Sequence, residues 1–380
     1  MMAPLADLSG GPESADGPES ADACGAGPER DKNAIQAASE KIAAQKEPLR
    51  VVFMGSPQFA ADILSHLLQA PFARVVAVYT QPDRPAGRGK KLKAPELKLL
   101  ALERGLPLFQ PATFKAGPEG DPARAQLAAM DPDVLITAAY GLILPQSVLD
   151  IPRLMPVNVH ASLLPKYRGA APIQRAIMAG EAVTGVTVMR MEAGLDSGPI
   201  LMQRAVGIDI NDTAADLHRE LAREGAELLL LALERLSAGT LHAVSQDPAR
   251  VSYAQKLGKD ESRIDLRLPA RTLHARIRGL TPWPGALLRL ARPGKEDLTL
   301  LAEPGLYPLS PGMRASVAAF AARQNGGLAP GSLIGLEEGA LLVACGDGAY
   351  AFTRLRPAGG KSMSAAAFAN GYLTGGGSFE

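Results

Sequence analysis

The stretch that decides the fold reads Met155-Pro156-Val157-Asn158-Val159-His160-Ala161-Ser162-Leu163-Leu164-Pro165, answered further on by Gly194-Leu195-Asp196-Ser197-Gly198. A short apolar run ending in Asn-x-His predicts a buried strand with two polar side chains at its carboxyl end. A spacing of two sends Asn158 and His160 to the same face. In open α/β sheets the carboxyl edge is where ligands bind. One residue offers an amide donor and the other a titratable imidazole. Asp196 lies between two glycines that permit a sharp turn, so its carboxylate can be aimed at a fixed point.

Working outward, the flanking sequence supplies a sheet for this strand. Leu49–Met54 is predicted as the first strand, Gly55-Ser56-Pro57 as a turn, and Pro57–Leu68 as a helix with Phe59, Ile63, Leu64, Leu67 and Leu68 on its apolar face. Strands over 74–79, 107–109 and 133–138 alternate with helices, which predicts a mostly parallel sheet covered on both faces. Strands at 184–191 and 200–208, joined directly by the Asp196 loop, predict an appended hairpin. Thr213 is placed to cap a long helix ending before Gly239. From Ile264 one helix precedes short strands with Gly/Pro turns, the pattern of a small β-barrel. The expected organisation is a low-complexity tail over 1–48, an α/β catalytic domain over 49–240, a linker over 241–262 and a small barrel over 263–380.

Composition narrows the class. The chain has 380 residues, 21% of them charged and 4% aromatic, so its cores are built from Ala, Leu, Val and Ile. No apolar run is long enough to span a bilayer. Two cysteines, Cys24 and Cys345, show neither a metal-ligand spacing nor a disulfide framework, which points to a reducing, cytoplasmic setting. The first 48 residues hold 9 acidic and 4 basic side chains and repeat Gly-Pro-Glu-Ser-Ala-Asp at 11–16 and 17–22. Such a segment is predicted to be disordered; a start codon assigned too early fits equally well. Residues 258–380 hold 10 acidic and 14 basic side chains, a mild excess that favours an anionic partner. A denser basic cluster lies in the Gly/Pro-rich loop Gln81–Lys93, where Arg84, Arg88, Lys90, Lys91 and Lys93 suit a phosphate backbone.

Several chemistries are excluded. Gly55-Ser56-Pro57 lacks the Gly-x-Gly-x-x-Gly fingerprint and is read as a structural turn. No Walker-type phosphate loop occurs. Ser162 follows His160 closely, but no nucleophile elbow surrounds it, which argues against a Ser-His hydrolase. Taken singly, Asn158, His160 and Asp196 would each be read as a satisfied polar group or a cap.

The full text Asn158-Val159-His160-Ala161-Ser162-Leu163-Leu164-Pro165-Lys166-Tyr167-Arg168-Gly169-Ala170-Ala171-Pro172-Ile173-Gln174 resembles the signature of the folate-dependent formyltransferases, and Gly194–Gly198 resembles their aspartate loop. Further likenesses, at Gln81–Gly89, Ala139–Pro145, Pro282-Trp283-Pro284 and Arg356–Met363, are to the branch that acts on methionine attached to tRNA. The resemblance runs from Leu49 to about Tyr372 and leaves out the tail and the glycine-rich C-terminus. It implies a Rossmann-like formyltransferase domain followed by an OB-like barrel that binds tRNA. It also implies formyl transfer from 10-formyltetrahydrofolate, as co-substrate, to the α-amino group of initiator Met-tRNA, in support of translation initiation. Asn158, His160 and Asp196 are then the catalytic groups. Ser162, Leu163, Leu164 and Pro165 are the folate-contacting segment, and Arg84, Arg88, Lys90, Lys91 and Lys93 meet the tRNA. No metal or membrane is implied, and the expected state is a monomer. The alternative acceptor is the amine of a sugar nucleotide, which the same trio can serve.

Overall fold

The computed structural model describes residues 47–86, 91–324 and 327–380. The expected tail, except for its last two residues, and Arg88 and Lys90 lie outside them.

A seven-stranded sheet organises the first domain. From one edge its order is Ile200–Gly207, Val183–Arg190, Met155–His160, Val134–Ala138, Leu49–Gly55, Ala73–Tyr79 and Leu108–Phe109. The last five are mutually parallel, and Val183–Arg190 runs against Met155–His160 and against Ile200–Gly207. The sheet is therefore a parallel core with the expected hairpin appended. Strand periodicity sorts the core between two faces. Val51 and Phe53 pack with Leu64, Leu67, Leu221 and Leu229. Val52 and Met54 face the other way, toward Tyr79, Phe114, Leu127 and Leu135. Each such fully buried side chain contributes roughly 1.5–3 kcal/mol. The helix Ala214–Ser237 starts on a capping box in which Thr213 and Asp216 satisfy each other's backbone N–H groups.

The segment 241–262, expected as a linker, is stitched to the first domain. Val244 and Ile200 exchange two backbone hydrogen bonds of 2.8 Å. Tyr253–Ala254 then pairs in parallel with Arg168–Gly169.

The second domain is built from antiparallel strands. One sheet has the order Met363–Ser364, Arg354–Pro357, Leu298–Ala302, Ala286–Ala291, Ser378–Phe379, and another the order Leu333–Glu337, Ala340–Cys345, Gly348–Phe352. Gly331 and Phe379 join their edges through backbone bonds, so the strands wrap one core of Leu288, Leu300, Val343, Tyr350 and Phe352. Besides the expected helix Ala270–Leu280, the domain carries helices at Pro311–Arg323 and Ala365–Tyr372 that the sequence pattern did not reveal. Ala270–Leu280 packs on Pro172–Met178 and ties the domains together. His274 Nε2–H donates to the Ile210 carbonyl at 2.7 Å, and Arg278 donates to the carbonyls of Asp209 and Asp212.

Candidate active site

Asn158 and His160 emerge at the carboxyl end of Met155–His160, as the spacing predicted. Register fixes their neighbours: Asn158 lies between Thr137 and Met189, and His160 beside Thr187. The Thr137 hydroxyl donates to Asn158 Oδ1 at 2.8 Å. That bond turns Nδ2 outward, where it has no acceptor among the described residues and can serve a ligand.

His160 is buried, with its two ring nitrogens facing Tyr167 and Asp196. Its Nε2 lies 2.9 Å from the Tyr167 carbonyl. A carbonyl only accepts, so Nε2 carries the hydrogen and Nδ1 is the variable position. Nδ1 faces Asp196 Oδ2 at 3.7 Å. This is beyond hydrogen-bond range, and catalytic contacts are often long before substrate binds. The neutral imidazole spends its single N–H on Tyr167, so it can donate to an oxyanion only when Nδ1 is protonated.

Asp196 is delivered by the loop between the hairpin strands. It has φ +48°, a left-handed conformation. Gly194 (φ +130°) supplies the turn before it, and a Cβ at Gly198 would stand 2.0 Å from the Arg190 carbonyl oxygen. The Gly169 N–H donates to Asp196 Oδ2 at 2.8 Å. Oδ1 is left open among the described residues.

The segment Ser162–Pro165 follows His160 directly, and its polar groups are satisfied within the protein. The Ser162 hydroxyl donates to the Lys166 carbonyl at 2.7 Å. Leu164 N–H donates to the Thr187 hydroxyl, and its carbonyl accepts from Gln203. Leu164 and Pro165 are buried, while Leu163 is half-buried.

The described residues of the basic cluster, 84–86 and 91–93, pair as a two-stranded ribbon, where its Gly/Pro content suggests an open loop. Arg84–Ala86 pairs with Lys91–Lys93, placing Arg84 opposite Lys93. Like charges facing across a ribbon are unfavourable. Glu96 offsets part of this by bonding Lys93 at 2.7 Å. The ribbon's root is clamped by Asp83, which accepts from Lys98 at 2.8 Å and from Gln110 at 3.0 Å; those bonds hold its carboxyl below the usual range. Ala73–Tyr79, which feeds the ribbon, lies three strands from Met155–His160 on the same carboxyl edge, roughly 15 Å away by strand spacing. The structure thus gathers Asn158, His160 and Asp196 at one point and sets Arg84, Lys91 and Lys93 along the same edge.

Sequence reasoning missed the hydrogen-bond partners of Asn158, His160 and Asp196. Thr137, and Gln246, whose Nε2 donates to the Asp196 carbonyl at 2.8 Å, are ordinary polar residues on other elements, with no local signal. Tyr167, Arg168 and Gly169 lay inside the signature text but had no role read into them. The turn Gly55-Ser56-Pro57 is structural: the Ser56 hydroxyl bonds the Tyr140 carbonyl and Gln81 N–H, both at 3.3 Å. Among the described residues no cluster of His, Cys, Asp or Glu is placed to hold a metal ion, and no helix is long and apolar enough to cross a membrane.

Comparison with known proteins shows the family and the fold. The family model described as formyl transferase matches residues 49–233, and that of the formyl transferase C-terminal domain matches 256–373. A methionyl-tRNA formyltransferase of Nitratidesulfovibrio vulgaris is 46% identical over 332 residues, covering 87% of this chain and 95% of the relative. One from Pseudomonas fluorescens is 49% identical over 318 residues, covering 84% and 92%. Among solved structures, an N-formyltransferase from Helicobacter canadensis, in complex with folinic acid and dTDP-3-aminofucose, aligns with a TM-score of 0.53 at 17% identity over 80% of this chain and 98% of its own. HypX from Aquifex aeolicus aligns with a TM-score of 0.54 at 18% identity over 87% of this chain, which spans about half (48%) of HypX. These two share the fold. The chain belongs to the methionyl-tRNA formyltransferases, within the formyl transferase family.

Proposed function

We propose that this chain transfers the formyl group of 10-formyltetrahydrofolate to the α-amino group of methionine on initiator tRNA, in the cytoplasm and as a monomer. The observation that carries this reading is the convergence of Asn158, His160 and Asp196 at the carboxyl edge, with Asn158 Nδ2 turned outward by Thr137. The near-full-length likeness to methionyl-tRNA formyltransferases supports the choice of substrates. One copy of the chain supplies all three groups.

The chemistry follows from the bonds already fixed. An α-amino group has a pKa of about 7.7–8.0, so roughly a tenth to a sixth of it is already neutral and nucleophilic at pH 7. Its attack on the formyl carbon produces a tetrahedral oxyanion, which Asn158 Nδ2–H stabilises. The attacking nitrogen must lose a proton. Asp196 Oδ1 is the open acceptor for it, directly or through a water, while Oδ2 is held by Gly169. The leaving folate nitrogen must gain one. His160 is the donor suited to this, because Nδ1 can carry a proton beside the Asp196 carboxylate while Nε2–H stays on Tyr167. Ser162–Pro165, with its polar groups spent internally, offers the flat folate a firm wall.

Arg84, Arg88, Lys90, Lys91 and Lys93 meet the phosphates of the tRNA end. The facing pair Arg84 and Lys93 is relieved when an anionic backbone lies on the ribbon. The second domain extends this contact with its basic excess. The test is formyl transfer to three acceptors: initiator Met-tRNA, elongator Met-tRNA and a sugar-nucleotide amine. Efficient transfer to the first and poor transfer to the others is expected. Preference for the sugar-nucleotide amine would overturn the reading.

A further inference from the structure

The stretch joining the two domains reaches back into the catalytic site. Antiparallel pairing of Val244 with Ile200 brings residue 246 alongside Gly198, two positions further on each strand. There the Gln246 carboxamide is fully used. Its Nε2 donates to the carbonyls of Asp196 at 2.8 Å and Gly198 at 2.7 Å. Its Oε1 accepts from Arg168 Nε at 3.0 Å and Arg168 Nη2 at 2.7 Å.

Three observations give this arrangement consequence. Asp196 has a positive φ, a conformation uncommon outside glycine although Asp tolerates it better than most residues, so the bonds that hold this turn help keep it there. Two carbonyls of one turn, at 196 and 198, converge on one point and cannot bond each other; a primary amide, with two hydrogens on one nitrogen, satisfies both. Arg168, on the other side of the amide, precedes Gly169, whose N–H fixes Asp196 Oδ2. Gln246 therefore grips the backbone that carries the carboxylate and the strand that carries its hydrogen-bond donor.

We infer that Gln246 is a positioning residue for the transfer reaction: it sets the aim of Asp196 without touching either substrate. This rests on the catalytic reading of Asp196 given above. It also means that the connection to the second domain sets the geometry of the chemistry.

The test uses the full chain and three single variants, Gln246→Met, Gln246→Glu and Asp196→Asn, with the double variant Gln246→Met/Asp196→Asn. Methionine keeps the length and loses every bond. Glutamate keeps an acceptor for Arg168 but lacks the two N–H donors. Both should lower kcat on the order of 100-fold, the scale of a misplacement of about 1 Å. KM for 10-formyltetrahydrofolate and for initiator Met-tRNA should stay within about twofold, and Tm should move by only a few degrees. Because Gln246 acts through Asp196, the double variant should be no slower than Asp196→Asn alone. Wild-type kcat in Gln246→Met, full additivity in the double variant, or a kcat loss accompanied by a collapse of Tm would each overturn the inference. Recovery in Gln246→Glu would also overturn it, by showing that Arg168 and not the Asp196 loop is what matters. Normal turnover by Asp196→Asn would instead overturn the catalytic reading on which the inference rests.

Discussion

Replacing Thr137 with valine isolates the aim of Asn158 from its presence. Thr137 is buried, 4% exposed, and valine fills the same volume. The one group lost is the hydroxyl that donates to Asn158 Oδ1 at 2.8 Å. Without it the two ends of the carboxamide become nearly equivalent, and Oδ1 can turn toward the reacting carbonyl, where it repels the oxyanion. A hydrogen bond of this kind has a net worth of about 0.5–1.5 kcal/mol, or roughly 2- to 13-fold in rate. Complete removal of an oxyanion donor costs more, about 2.7–4 kcal/mol. Thr137→Val should therefore slow single-turnover formyl transfer by the smaller factor, with both substrates saturating and Tm nearly unchanged. A rate equal to wild type would show that Asn158 is not held by this hydroxyl. A loss as large as that of Asn158→Ala would show that Thr137 does more than orient.

Other expectations follow from the ribbon and the domain seam. Lys91→Ala should weaken tRNA binding and reduce the slope of log Kd against log salt by about one, whereas Lys93→Ala should do less, because Glu96 already neutralises part of Lys93; equal effects would refute the distinction. Arg88→Lys should lose activity nearly as badly as Arg88→Ala if a planar guanidinium is needed to stack on or fork to the acceptor end, and normal kinetics in Arg88→Lys would reject that role. At the seam, burial pushes the His274 imidazole down to about 4, its bond to the Ile210 carbonyl opposing this only in part. The unfolded imidazole takes a proton near pH 6.5 while the folded one does not, so stability is lost as pH falls from about 6.5 toward 4, by on the order of 3 kcal/mol at pH 4. Urea melts of wild type and His274→Gln at pH 7 and pH 4 test this, and identical pH slopes would contradict it.

Most of the first domain was legible because its strands are apolar runs and its helices carry caps or apolar stripes, as at Thr213 and along 58–67. The placement of Asn158 and His160 on one strand face and of Asp196 in a glycine-framed loop was legible from spacing, but their reading as a catalytic trio came from the resemblance to the folate-dependent formyltransferases. What escaped was whatever depends on distant partners. Thr137 meets Asn158 across 21 positions and Gln246 meets Asp196 across 50, and neither leaves a local pattern. The ribbon of 84–86 with 91–93 was read as a loop because Pro85 and the glycines in the sequence hide a three-residue pairing. The helix Pro311–Arg323 was missed because it is alanine-rich and buries only Met313, so it shows no apolar stripe. Ala365–Tyr372 was missed because it is short and its Asn370-Gly371 reads as a turn.

The most direct test of the account is the rate of the chemical step itself, measured by rapid quench with enzyme, 10-formyltetrahydrofolate and initiator Met-tRNA all preassembled. Wild type should form formyl-methionyl-tRNA in a single turnover, and Asn158→Ala should be slower on the order of 100- to 1,000-fold while binding both substrates normally. An Asn158→Ala enzyme with an undiminished chemical step would contradict the claim that the group turned outward by Thr137 is the oxyanion donor of this reaction.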